Sequence, residues 1–193
     1  HVFTTSSGDA VNPMFDPAPR QLVAHPSFLQ DAQRRADGSP DLRTGKIAVS
    51  STTLTSQGIS SNQRLNLAAT NVSSIALIRV EELVLMRAEA NVALGNRGPA
   101  IQDLNVIRTI AGGLAPLASD FGGNLLDELL YNRRYSLFGE YGHRWVDMRR
   151  YGRLGTLPKF TPAHRIYPIV PLPADECNQR KPEPKGCVQV SGI

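Results

Sequence analysis

Leucines and arginines recur at three- and four-residue steps between residues 125 and 137, and two glycines then close the run. Leu126, Leu130, Arg133 and Leu137 fall along one line of a helix, with Leu125, Leu129 and Tyr135 beside it. Asn124 stands where a helix takes its N-cap, and Asp127 and Glu128 in the first turn complement the positive end of the helix dipole. Gly139 and Gly142 weaken the helix, so the spacing predicts a bend and a restart at His143. The restarted segment turns Trp145, the single tryptophan, and Met148 inward, and keeps Arg144, Asp147 and Arg150 within ion-pairing reach of one another.

A helix with this much leucine needs partners, and the preceding stretch offers them. Residues 75–94 read as about five helical turns, with Val80, Val84 or Leu83, Ala88 and Ala90 on the apolar side. The small residues Ala88, Ala90 and Ala93 let a second helix approach closely. Gly95-Asn96-Arg97-Gly98 is a stop signal, and Pro99 suits the first position of a new helix. That second helix places Ile101, Leu104, Ile107 and Ile110 on one stripe, and Ala111-Gly112-Gly113 ends it. The pair forms a helical hairpin similar to one tetratricopeptide repeat, with no second copy at a fixed period. The expected fold is mainly α: this hairpin plus a further long helix, with long irregular loops and little β.

Both flanks are poor in regular structure. In residues 1–74, Pro13, Pro17, Pro19, Pro26 and Pro40 interrupt the candidate elements. Ser27 is placed to cap a short helix that ends at Asp37-Gly38, and Lys46-Ile47-Ala48-Val49 reads as a short strand. The Ser/Thr-rich stretch after it reads as a solvated loop or a weak hairpin. After Tyr151 the chain turns irregular again. Three prolines between Pro168 and Pro173 favour an extended path with Ile166, Pro168 and Val170 facing a core, and one closing turn follows at Pro173–Glu176. With 193 residues the chain suits a single domain: loops at 1–74, a helical core at 75–151 and a Pro-rich tail at 152–193.

No apolar run approaches the length needed to span a bilayer. The first residue is His1, and the chain is expected to be a processed product or a fragment. Its net charge of +4 comes with arginines interleaved among acidic and aromatic residues, so no nucleic-acid partner is expected. Cys177 and Cys187 have neither a CxxC pattern nor a histidine cluster, so neither a metal nor a cofactor is expected. Two readings stay open for them: a small disulfide ring, which implies an oxidising compartment, or two free thiols.

Four segments in this order resemble the C-terminal part of the SusD/RagB family of outer-membrane nutrient-binding lipoproteins. Residues 77–90 are similar to the family's arginine-led helix closing in Ala88-Glu89-Ala90. Leu104 to Arg108 with Ala111-Gly112 come second. Arg133-Arg134-Tyr135, Leu137 to Glu140 and Gly142 to Arg150 come third, and Tyr167 to Glu176 with Asn178 fourth. Asp41-Leu42-Arg43 resembles an upstream Asp-Pro-Arg of many members. The chain departs from the pattern at Asn132, where the family usually has glutamate, and at Tyr141, which lengthens the third segment by one residue. Members are much longer, and their N-terminal half carries a lipidated cysteine and most of the tetratricopeptide helices. The resemblance implies a helical, non-catalytic protein at the cell surface that captures oligosaccharide or another nutrient for a TonB-dependent outer-membrane transporter. The alternative is a helical protein-interaction or self-assembly module without glycan binding.

Trp145 invites sugar stacking, but a tryptophan within a charged amphipathic segment reads better as a core anchor. Glu140, Arg144, Asp147 and Arg150 then form a structural ion-pair network that ties this helix to the hairpin through Arg79 and Glu82. Glu140 and Asp147 on one continuous helix would lie roughly 10 Å apart, outside the spacing of a retaining glycosidase and at the edge of that of an inverting one. Neighbouring arginines would also depress a carboxylate pKa instead of raising it for acid catalysis. Ligand contacts are expected from loops on the scaffold, with Phe15, Arg20 and Phe28 as the candidates and local loop packing as their alternative.

Overall fold

The computed structural model describes residues 2–15, 22–56, 58–170, 172–180, 182 and 187. Among them the chain is mainly helical, with one two-stranded sheet. It divides into two compact units, His1–Arg144 and Trp145–Ile193.

The first unit is built on the helical hairpin and the helix that covers it. Helix α2 spans Val80–Ala93, α3 spans Arg97–Val106, and α4 spans Leu125–Ser136. (The short helix α1, Ser27–Gln30, precedes them.) Leu85 and Ala88 of α2, Ala100, Ile101 and Leu104 of α3, Ile107, and Leu125, Leu129 and Leu137 form one buried cluster. Asn124 caps α4 as its side-chain type predicts: its Oδ1 accepts from the backbone N–H of Leu126 at 2.9 Å.

Three details of the hairpin differ from the sequence expectation. Helix α2 starts at Val80, so residues 75–79 are not helical. Its buried face is accordingly Leu85, Ala88 and Glu89, whereas Val80, Leu83 and Ala90 are exposed. At the end of α3 the chain widens into a π turn, Ile107–Ala111. A π turn takes more residues per rotation than an α turn. The three-residue step from Ile107 therefore no longer returns to the core, and Ile110 is 78 % exposed.

The N-terminal third is more ordered than its prolines suggest. Helix α1 is only four residues long, and the predicted longer helix gives way to a turn in which Arg34 bridges Pro40. Asp41 caps a 3-10 turn, Leu42–Lys46, by accepting from the Arg43 N–H at 2.9 Å. Strand β1, Ile47–Ser56, then pairs antiparallel with β2, Ile59–Leu65. The Ser/Thr-rich stretch is thus a hairpin. A second buried cluster joins this third to α4: Ala24, Phe28, Ala32, Ile47 and Tyr135, with Leu29, Leu65, Tyr131 and Phe138 packed against it.

The second unit begins within helix α5, His143–Arg150, and continues through a short 3-10 turn, Leu154–Thr156, to helix α6, Ala174–Gln179. Met148 and Leu154 are buried. Residues 166–170 form no strand; Ile166 and Pro168 are half-buried, and Val170 is exposed instead of facing a core.

Candidate functional site

The polar interior of the first unit converges on Arg43. Asp41 and Arg43 are both buried, two residues apart around the 3-10 turn. Asp41 Oδ1 accepts from Arg43 Nε at 2.9 Å, and Oδ2 accepts from Arg43 Nη2 at 2.5 Å and from the Tyr131 hydroxyl at 2.8 Å. Arg43 Nη1 reaches α4, donating to Asn132 Oδ1 and Ser136 Oγ, both at 3.0 Å. Asn132 is wholly buried, and its Nδ2 donates to the Glu128 carbonyl at 2.9 Å. A neutral amide here accepts from Arg43, and Asp41 supplies the counter-charge. The guanidinium also lies 5.7 Å from the Tyr131 ring centre and 5.9 Å from that of Tyr135. Burial raises the pKa of both phenols, Tyr135 to about 12.

Two further buried pairs join the helices. Arg133 of α4 meets Glu89 of α2 at 3.4 Å. Arg108, in the π turn, pairs with Glu128 of α4 and donates to Gln33 Oε1 at 2.8 Å. Each of these carboxylates is matched by a guanidinium, which fixes its geometry.

A second group of charges holds the turn after α4. Gly139 there has φ +79°, and a Cβ on it would stand 2.5 Å from Leu67 Cδ1. Glu140 Oε1 accepts from Arg79 Nη1 at 2.5 Å and lies 3.7 Å from Lys46 Nζ. Arg79 also pairs with Glu81 at 2.5 Å, and Lys46 donates to the Ser136 carbonyl at 2.5 Å. Desolvation lowers the Lys46 pKa, with Glu140 opposing. Glu82 is not part of the Arg79 pairing; its Oε1 lies 3.5 Å from His143 Nε2. Thus Arg79 and Glu140 meet, with Glu81 and Lys46 beside them, while Glu82 faces His143.

In the second unit, Trp145 is half-buried, its Nε1–H donates to the Tyr167 carbonyl at 2.8 Å, and the Arg149 guanidinium sits 5.0 Å from its ring centre. Asp147 is buried, whereas Arg150 is exposed and Arg144, at the end of the first unit, is half-buried. Cys177 and Cys187 form a disulfide, so the ring reading holds over free thiols.

The three expected ligand contacts fare differently. Phe28 is 3 % exposed and packs on Tyr135 and Phe138 at ring-centre distances of 4.8 and 4.1 Å. Its ring is core, and a ligand has no access to it. Phe15 is half-buried beside a turn in which its N–H donates to the Asn12 carbonyl at 3.1 Å. Arg20 lies outside the described residues. Among the described residues, no cluster of three or more His, Cys, Asp or Glu is placed to hold a metal ion, and no helix is long and apolar enough to cross a membrane.

Sequence reasoning found Arg79 and Glu140 but underrated the Arg43 centre. Its signal was an Asp-x-Arg in which the aspartate caps its own turn, together with an asparagine set among the buried positions of a leucine helix.

A model of the SusD family matches residues 50–186. The chain belongs to the SusD family. Among solved structures, a SusD superfamily protein from Bacteroides vulgatus ATCC 8482 is 22 % identical with a TM-score of 0.49, over 64 % of this chain and 32 % of that one. A structure titled BT4246 is 31 % identical with a TM-score of 0.40, over 54 % of this chain and 16 % of that one. This SusD-family chain therefore spans a third or less of the length of either. No match was found among curated proteins.

Proposed function

We propose that this SusD-family chain supplies the helical scaffold of a non-catalytic protein that captures oligosaccharide, or another nutrient, at the bacterial outer membrane for a TonB-dependent transporter. The observation that carries the reading is the family match, which runs from within β1 through the helical hairpin and α4 into the second unit. The interior supports it. Asp41, Glu89, Glu128 and Glu140 are each held by an arginine, an arrangement suited to rigid presentation of a binding surface and not to bond breaking. The disulfide suits an oxidising compartment outside the cytoplasm.

Isothermal titration of the full chain against a panel of oligosaccharides tests the reading. Saturable heat with one glycan class, weakened by Phe15→Ala and Arg20→Ala, is the expected result. Silence across the panel rejects glycan capture by this chain. Crosslinking in intact outer membranes, followed by identification of a β-barrel adduct, tests the transporter partnership.

A second reading, a protein-interaction module without glycan binding, is favoured by the apolar residues that α2 turns outward, Val80, Leu83 and Met86, with Leu94 beyond its end. Defined oligomers in light scattering, with no heat from any sugar, would decide for it.

A further inference from the structure

The second unit carries a charge that the first does not. Residues 145–193 hold eight of the 21 lysines and arginines but only four of the 17 aspartates and glutamates, so the whole net charge of +4 belongs to this unit. Arg149 of α5 is an exposed part of it. Among the described residues of the first unit, seven arginines each meet a carboxylate. Arg149 does not. Asp147, two positions earlier, is buried, and among the described residues no carboxylate stands within ion-pairing distance of Arg149. Its guanidinium rests instead on Trp145, 5.0 Å from the ring centre. That ring is itself held, because its Nε1–H donates to the Tyr167 carbonyl at 2.8 Å. A guanidinium seated on an aromatic ring keeps its fork of N–H donors for an anion. Placed in advance, it has less freedom left to lose when a ligand arrives.

The same hydrogen bond brings the chain at Tyr167 alongside the indole. Burial alternates there: His164, Ile166 and Pro168 are half-buried, whereas Arg165, Tyr167 and Ile169 face solvent. An extended path puts every second side chain on one side, so Arg165 shares the outward side with Tyr167, which is 46 % exposed. Arg165 also has no carboxylate within ion-pairing distance among the described residues. Two cations, Arg149 and Arg165, thus flank an aromatic pair. The halves of this surface select the same kind of molecule. A phenol ring suits the apolar face of a pyranose, and a guanidinium fork suits a carboxylate, which it grips through two parallel hydrogen bonds. A neutral sugar leaves the guanidinium without an anion, and a bare polyanion leaves the ring without a partner.

We propose that this face of the second unit is a subsite for acidic saccharides, uronic acids above all. The inference rests on the glycan-capture reading and narrows it to a ligand class and a place. Arg149 clamps the carboxylate, the Tyr167 ring carries the pyranose, and Arg165 supplies a second positive charge to the next acidic unit. Trp145 acts as the seat of Arg149, in keeping with its role as an anchor.

Trp145 is the single tryptophan of the chain, so its fluorescence reports on this place directly. The full chain is titrated with a galacturonate oligomer, with the same oligomer methyl-esterified, with a neutral galactose oligomer and with inorganic polyphosphate. A saturable change in Trp145 emission with the free acid, and none with the ester, is expected. Arg149→Gln should weaken the acid's binding by roughly tenfold or more. Arg149→Lys keeps the charge without the fork and should fall between Arg149→Gln and the unaltered chain. Tyr167→Ala should weaken binding too. Arg34→Gln removes an exposed arginine of the first unit and should leave it unchanged. Circular dichroism checks the fold of each variant; if Arg149→Gln unfolds, the contrast of acid with ester on the unaltered chain decides. Ester binding as tightly as acid overturns the proposal, as does polyphosphate matching the oligomer, or Arg149→Gln or Tyr167→Ala binding undiminished. Heat from the neutral sugar with no response to the acid overturns this subsite and leaves glycan capture standing. Silence with every sugar overturns both.

Discussion

At the scale of single residues, this protein joins its segments with guanidinium groups seated among carboxylates, carbonyls and aromatic rings. Arg43 is the clearest case, touching Asp41, Asn132 and Ser136 at once. Replacing it by methionine keeps the apolar stem but strands the buried Asp41 charge. Arg43→Met should cost about 3–5 kcal/mol in urea unfolding; a loss below about 1 kcal/mol would show that solvent reaches Asp41. Tyr135 allows a test by pH. Its hydroxyl donates to the Phe28 carbonyl at 2.7 Å, and burial, opposed by Arg134, lifts its pKa to about 12. An unfolded tyrosine ionises near pH ~10. The folded state therefore holds the proton more tightly, so the stabilisation is complete below pH ~10 and falls away as pH rises towards the folded value. Tyr135→Phe should lose about 1 kcal/mol at neutral pH and flatten this alkaline decline, followed by denaturant midpoints across the range.

At the scale of elements, the π turn after α3 separates two residues that a helical pattern treats alike. Ile107→Ala should cost about 2–5 kcal/mol, while Ile110→Ala should stay within about 0.5 kcal/mol, by thermal or urea unfolding. Equal losses would mean that the turn is α-helical in solution. The same elements show where the sequence was readable. Asn124, the leucines of α4 and the Gly139–Gly142 break announced themselves because capping and helix breaking depend on side chains close in sequence. The hairpin β1–β2 did not, since hydroxyl-rich strands carry little hydrophobic alternation. The outward turn of Val80 was missed because the helix begins later than its apolar residues do, and helix phase follows from where the first turn forms. Phe28 read as a loop aromatic, and its burial depends on Tyr135 and Phe138, more than a hundred positions away. Of the candidate site, the charges of Arg79 and Glu140 stood out in the sequence as members of a network, although their pairing with each other did not; the Arg43 centre needed the fold itself.

At the scale of the whole molecule, the two units carry different kinds of restraint. The first has two apolar clusters and several buried ion pairs; the second contains the Cys177–Cys187 disulfide. Reduction should therefore loosen the second unit by about 2–3 kcal/mol on the chain-entropy model, leaving the melting of the first unchanged. Limited proteolysis with and without reductant, with cleavage sites mapped, reads this; accelerated cutting within residues 24–136 would contradict it.

The reach of Arg43 also bears on the order in which the molecule assembles. Its acceptor Asn132 lies 89 positions downstream, whereas α2 and α3 are consecutive and meet after a short turn. Contacts close in sequence form sooner than distant ones, because less chain entropy opposes them. On the ribosome, Arg43 emerges long before its acceptors on α4, Asn132 and Ser136. The segment around Arg43 is thus among the last to settle, and until α4 arrives the arginine has only Asp41 beside it.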